Sequence, residues 1–283
     1  MGAAGPVTCA FMADQDIAAA VAAEPRPVRR YGAGLPATAT DEVASEVPVA
    51  FEYNGISHAV MLATPADLHD FAIGFSLSEG IAQPSQCYGV EVQQGAAGIT
   101  LAIEVAASAF ALLKAHRRTL AGRTGCGICG AEGLDQVLRP LPDLSALPLR
   151  IAPAALARAC AGLTDVQPLQ RRTGAAHGAV WCGPDGAIAC AREDIGRHNA
   201  LDKLIGALMR NGFETRAGFA LVTSRASVEM VQKSAAAGIA VLAAVSAPTA
   251  LAVQVAENCG QTLIGFARGG SFSVYTHGGR IAG

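Results

Sequence analysis

Charge is scarce in this chain: Asp, Glu, Lys and Arg make up 16% of 283 residues, and the formal net charge is −2. No global basic field draws the protein to nucleic acid or to an anionic membrane, so neither is an expected partner and any anion site must be local. No secretory leader is expected in the N-terminal stretch either. Ala18 to Ala23 faintly resembles a cleavage region, but no basic stretch precedes it, and Asp14 and Asp16 interrupt any apolar segment. Pro6 stands where N-myristoylation needs Ser or Thr. Eight irregularly spaced cysteines without such a leader read as reduced thiols of a cytoplasmic protein, not as a disulfide framework. Residues 234–256 carry no formal charge and are long enough to span a bilayer. Gly238, Ser246 and Pro248 cut that run into a helix end, a strand and a new helix start, the pattern of a buried βα unit. No internal repeat of fixed period is present.

What is abundant is apolar: 51% of residues, with Ala and Gly prominent, which describes a globular chain of one or two domains. Two are expected. Residues 1–40, with Pro25, Pro27 and Pro36, read as a disordered leader, and order is expected to begin near Glu46. Residues 41–148 form an α+β domain that ends in a cysteine loop, and 149–283 an α/β domain. The boundary is placed in the passage holding Pro140, Pro142, Pro148 and Pro153.

In the first half, Val47 to Tyr53, Asn54-Gly55 and Ile56 to Leu62 spell a hairpin with a tight turn. Thr64 is expected to cap a helix whose apolar face is Leu68, Phe71, Ala72 and Phe75 and which Gly80 ends. Strands near Val90 to Val92 and Ile99 to Val105 precede a helix from about Ser108 to Leu120. In the second half, Ala179 to Cys182 and Ala187 to Ala191 form another hairpin. A helix at Arg197 to Arg210 follows, then strands and helices alternate to the C-terminus, the signature of a layered α/β domain.

Chemistry concentrates first in Cys126-Gly127-Ile128-Cys129-Gly130. Two thiols at this spacing can chelate a metal, form a reversible disulfide, or carry a persulfide on one sulfur that the other resolves. Gly125, Gly127 and Gly130 keep the backbone open. Lys114, His116, Arg117, Arg118 and Arg123 just before it favour a thiolate and would attract an anionic acceptor. Structural zinc needs four ligands, and no second CxxC exists; Cys182 and Cys190, expected to face each other across the second hairpin, could complete such a site. Trp181-Cys182-Gly183-Pro184 has Asp185 in place of a second thiol and reads as a turn.

The run Glu193 to Lys203 opens a helix whose buried stripe is Ala200, Leu201, Leu204, Ile205 and Leu208. Its polar residues, Arg197, His198 and Asn199 among them, are therefore free for binding, unless Asp194 merely caps and Arg197 merely pairs with Glu193. Three loops at strand ends add Ser224-Arg225-Ala226-Ser227, Ser246-Ala247-Pro248-Thr249 and Arg268-Gly269-Gly270-Ser271. Open α/β sheets bind ligands there, so these loops suggest a nucleotide-phosphate cradle, with ordinary capping as the plain alternative.

Together these strings resemble the formate dehydrogenase accessory sulfurtransferase family, FdhD, from about Glu46 to Thr276. Phe71 to Phe75, Glu79-Gly80-Ile81 and Gly265 to Gly269 add to the match, while Thr173 to His177 departs from it by carrying alanines at 175 and 176. The resemblance implies a sulfurtransferase. A cysteine desulfurase loads persulfide sulfur onto Cys126, Cys129 assists or resolves, and the sulfur passes to the molybdenum of bis(molybdopterin guanine dinucleotide) for formate dehydrogenase. It further implies that Phe266, Ala267, Arg268, Gly269, Gly270 and Ser271 contact the guanine dinucleotide, so that GDP is a partial ligand. A homodimer, no permanent metal and a cytidine-deaminase-like α/β/α second domain are also implied. Deamination is not, because H-x-E and P-C-x-x-C are both missing. The alternative from another class is a zinc-stabilised chaperone that binds the nucleotide cofactor without transferring sulfur.

Overall fold

The structure is a computed structural model that describes residues 22–32, 37–119 and 139–282. A four-stranded sheet is built from β3 (Val47–Tyr53), β4 (Ile56–Ala63), β5 (Cys87–Gly95) and β6 (Gly98–Val105) in the order β4-β3-β6-β5. Asn54 and Gly55, both at positive φ, make the expected two-residue turn of the β3–β4 hairpin. Alternation sends Val49, Phe51, Tyr53, Ile99, Leu101 and Ile103 to one face. There they meet Phe71 and Phe75 of α1 (Leu68–Ser78), with the Phe51 and Phe75 rings stacked at 4.1 Å. Ala109 and Leu113 of α2 (Ala107–Thr119) join the same cluster.

The second sheet has six strands, in the order β12-β11-β10-β9-β7-β8. They are β7 (His177–Cys182), β8 (Ile188–Asp194), β9 (Phe219–Val222), β10 (Val241–Ala244), β11 (Thr262–Arg268) and β12 (Ser271–Val274). β9, β10 and β11 run parallel, while β7 and β12 are antiparallel to their neighbours. The central strands are apolar on both faces. Ala220 and Val222 pack with α5 (Arg197–Arg210), α6 (Val228–Ala236) and α7 (Ala250–Asn258), whereas Phe219 and Leu221 pack with α3 (Pro153–Gly162). This gives the three layers of an α/β fold. The uncharged run 234–256 is the end of α6, the whole of β10 and the start of α7, and no described helix is long and apolar enough to cross a membrane.

Two expectations are corrected here. Order begins well before Glu46: β1 (Ala23–Arg30) and β2 (Ala37–Ala44) form an antiparallel hairpin whose Ala23 packs on Leu169 of α4 (Pro168–Thr173). A two-stranded ladder leaves every second N–H unpaired, and that is where Pro25 and Pro27 can sit without losing a hydrogen bond. Thr64 does not cap α1. Asp67, at φ 54°, occupies the N-cap position but its side chain makes no capping bond to the helix, and Thr64 is turned to the second sheet instead. Helices α3 and α4, each with Pro in its first turn, follow the proline-rich passage in which the domain boundary was placed.

The two halves meet where α1 crosses α5. A Cβ on Gly74 would lie 1.7 Å from the Asp202 carbonyl oxygen, and one on Gly206 would lie 1.8 Å from that of Asp70. Both glycines are therefore required by the approach of the two backbones.

Candidate functional site

The register of the six-stranded sheet brings the C-terminal ends of β8, β9, β10 and β11 and the start of β7 to one edge. Three loops there are laced by backbone bonds: Ala226 N donates to Ala247 O (3.2 Å), Thr249 N to Ala226 O (3.1 Å), and Phe266 N to Ser246 O (3.1 Å). Ser224, Arg225, Ser246, Thr249 and Phe266 to Ser271 thus share one ledge, as their loop positions suggested. Three of their hydroxyls are turned to local work. Ser224 Oγ donates to Arg225 O, Thr249 Oγ1 caps α7 by accepting from Ala252 N, and Ser271 Oγ donates to Arg268 O. What the ledge offers outward is the exposed side chains of Arg225 and Arg268, the backbone of Gly269 and Gly270, and the ring of Phe266, with Ala267 buried beneath.

Phe266 has φ 55°, a strained value for an aromatic residue, at a bulge in the β11–β12 ladder. A Cβ on Gly265 would sit 2.8 Å from Pro248 Cδ and 3.0 Å from Tyr275 Cε2, so the preceding residue is squeezed between these two groups. The strain holds a 40% exposed aromatic face at the end of a buried strand.

At the other end of the same edge, the start of α5 holds Arg197 and His198. Among the described residues, Arg197 Nε and His198 Nε2 are buried without a hydrogen-bond partner, and so is Nε2 of nearby Gln167, which packs on Gly178 at the start of β7. Buried polar atoms are rarely left unpaired, so three on one sheet edge read as groups that face a ligand. Burial, then the Arg197 and Lys233 charges, push His198 down to about 4, with Glu229 and Glu79 only partly offsetting them. Its imidazole is neutral at pH 7. Burial and Arg197 likewise lower His177. Gln167, His177 and Glu229 were not singled out by the sequence, since each lies outside a periodic pattern.

Asn199 is placed differently. Its Nδ2 donates to Leu62 O and to Asp194 Oδ1, both at 2.9 Å. Asp194 and Lys203 are fully buried and paired at 2.6 Å, and Lys203 Nζ also reaches Thr64 O while Thr64 N donates to Asp194. The expectation that the polar residues of this run are spared from the core is thus corrected for Asp194, Asn199, Asp202 and Lys203. They form the joint between the two sheets. Asp202 binds Lys233 Nζ and Ser78 Oγ, and Lys233 also binds Glu79. Glu193 does not pair with Arg197; it accepts from Leu169 N and Gln170 N at the head of α4.

Cys126 and Cys129 lie outside the described residues. The chain resumes at Arg139, whose Nη1 donates to Ser78 O (2.9 Å) and pairs with Glu79 (3.1 Å). Cys182 and Cys190 do not face each other: Cys190 stands opposite Trp181, so the two thiols enter different clusters on opposite faces of the sheet. Burial raises the Cys182 thiol far above its ordinary range.

The FdhD/NarQ family profile matches residues 44–282. The chain belongs to the FdhD/NarQ family. Among curated members, the sulfur carrier protein FdhD of Variovorax paradoxus is 54% identical over 92% of this chain and 94% of its own length. That of Cupriavidus necator is 54% identical over 90% and 88%. A crystal structure of a formate dehydrogenase accessory protein from Desulfotalea psychrophila superposes with a TM-score of 0.72 at 21% identity. It covers 93% of this chain and all of the other, so the two chains share one fold.

Proposed function

We propose that this FdhD/NarQ protein is a sulfurtransferase of the cytoplasm that carries persulfide sulfur from a cysteine desulfurase to the molybdenum of bis(molybdopterin guanine dinucleotide), the form of the cofactor required by formate dehydrogenase. The observation that carries the reading is that relatives 54% identical over at least nine-tenths of this chain are named sulfur carrier proteins. The sheet edge supports it. Arg225, Arg268 and Arg197 supply local positive charge to a protein of net charge −2, and Phe266 presents an aromatic face on which a guanine could stack. The acceptor is a substrate, and no resident metal is needed.

In loading, the Cys126 thiolate attacks the outer sulfur of the donor persulfide; a new S–S bond forms, and the donor cysteine leaves as a thiolate. In delivery, Cys129 attacks the inner sulfur of the Cys126 persulfide. The outer sulfur leaves as sulfide, and the two thiols supply its electrons by ending as a disulfide. A homodimer is the proposed working form. Incubation with a cysteine desulfurase and labelled cysteine, followed by peptide mass spectrometry, is expected to place one added sulfur on Cys126 and none on a Cys126→Ser variant. Labelling of that variant, or zinc bound stoichiometrically through Cys126 and Cys129, would overturn the assignment in favour of a metal-stabilised cofactor chaperone.

A further inference from the structure

From Tyr31 to Leu113 the chain contains nine Asp and Glu and no Lys or Arg. Cations from outside the stretch take up five of these carboxylates. Asp41 pairs with Arg30, Glu42 with Arg172, Asp67 with Arg192, Asp70 with Arg192 and Arg210, and Glu79 with Lys233 and Arg139. Of the remaining four, three share one surface. Glu52 on β3 and Glu91 on β5 flank Ala102 on β6 in a single row, and Glu104, two residues further on, lies over Gly89. None of the three has a cation partner among the described residues.

This surface is the face of the four-stranded sheet opposite the aromatic cluster. The next rows along it hold Val60 beside Ala50 and Thr100, then Leu62 beside Pro48. Val60 and Leu62 are about half exposed, at 49% and 55%. Both described helices that pack on this sheet, α1 and α2, contribute to the cluster on its other side. A sheet face with bare branched aliphatics at one end and unneutralised carboxylates at the other has the make-up of a contact surface: an apolar part to be covered and charges to select what covers it.

We propose that this face docks the persulfide donor, through a donor surface bearing Lys and Arg beside an apolar patch; naming the donor rests on the function proposed above. The placement separates it from the acceptor. An enzyme that receives the cofactor must approach the edge of the six-stranded sheet, whereas the face in question lies across the α1–α5 layer, on the sheet whose last strand leads through α2 into the thiol loop. Charge decides the sign, since a surface whose described carboxylates have no cation partner repels an acidic partner and attracts a basic one.

The test combines Glu52→Gln, Glu91→Gln and Glu104→Gln in the full chain, with a second variant carrying Lys at the same positions, and measures calorimetric affinity for a purified cysteine desulfurase at low and high salt. The Gln variant is expected to bind about tenfold more weakly at low salt and to lose most of the salt dependence, the Lys variant to bind more weakly still. Inorganic polysulfide, which needs no docking, is expected to load Cys126 equally in all three proteins. Unchanged affinity in both variants overturns the proposal, as does a wild-type protein that does not bind the desulfurase. Conversion of a dimer to a monomer in the variants would also overturn it, by assigning the face to a second copy. Failure of polysulfide to load Cys126 counts against the proposed function alone, while calorimetry still decides the surface.

Discussion

Lys203 shows how much one side chain carries in this protein. It is completely buried, yet its ammonium is satisfied by Asp194 Oδ2 and Thr64 O and lies 5.6 Å from the Phe71 ring. Truncating one partner of such a pair leaves the other charge buried and unpaired. Lys203→Met is therefore expected to cost about 3–5 kcal/mol in denaturant unfolding, and Lys203→Met with Asp194→Asn to recover part of it. Recovery is the diagnostic, because a residue that acted only by packing would show additive losses. Arg197 and His198 sit a few residues earlier on the same helix with buried nitrogens unpaired among the described residues. One helix start thus divides into residues that hold the fold and residues free to meet a ligand.

At the level of elements, the α1–α5 crossing fixes how the N-terminal sheet stands against the C-terminal one. Its closeness depends on two glycines in helices, where glycine otherwise costs stability. Gly206→Ala puts a methyl group where the Asp70 carbonyl already is. The expected result is a loss of about 1–3 kcal/mol or more, read as a lowered denaturation midpoint, in contrast to the small gain that Gly→Ala brings to an open helix. The ledge of loops at the sheet edge depends less on this crossing, since its backbone bonds run among Ala226, Ala247, Thr249, Ser246 and Phe266.

For the whole molecule, acid stability should fall in two stages. His198, ordinarily near 6.5, is held at about 4 by burial and by Arg197 and Lys233. The unfolded chain binds its proton first, so the stabilising contribution of the neutral ring is complete above 6.5 and is lost as pH falls toward 4. Glu79 follows. Burial alone would raise it, but Lys233 and Arg139 hold it at about 2 against an ordinary 4.5, so its contribution is complete above 4.5 and is lost as pH falls toward 2. Urea unfolding across this range should show both windows, and His198→Gln should reduce the upper one, leaving the share of His177, which is lowered in the same direction, and the lower one unchanged. A variant that keeps the upper slope would remove His198 as its source.

Much of this was legible in the sequence, for reasons tied to short-range physics. The Asn54-Gly55 turn, the end of α1 at Gly80 and the bounds of α5 at Arg197 and Arg210 follow from local φ preference and from the period of apolar residues. The strand-end loops fell on one edge because parallel strands joined by helices leave no other arrangement. Tertiary structure decided what the polar residues do. Asn199 and Arg197 look alike in the sequence, both polar and both in the first turn of a helix. Asn199 is buried against Leu62, 137 positions away, and Arg197 is not, because the close approach of α1 to α5 brings β4 over one side of that turn only. The β1–β2 hairpin was hidden for the same reason: its stability comes from a docking site on α4, more than a hundred residues distant, and not from its own proline-rich sequence.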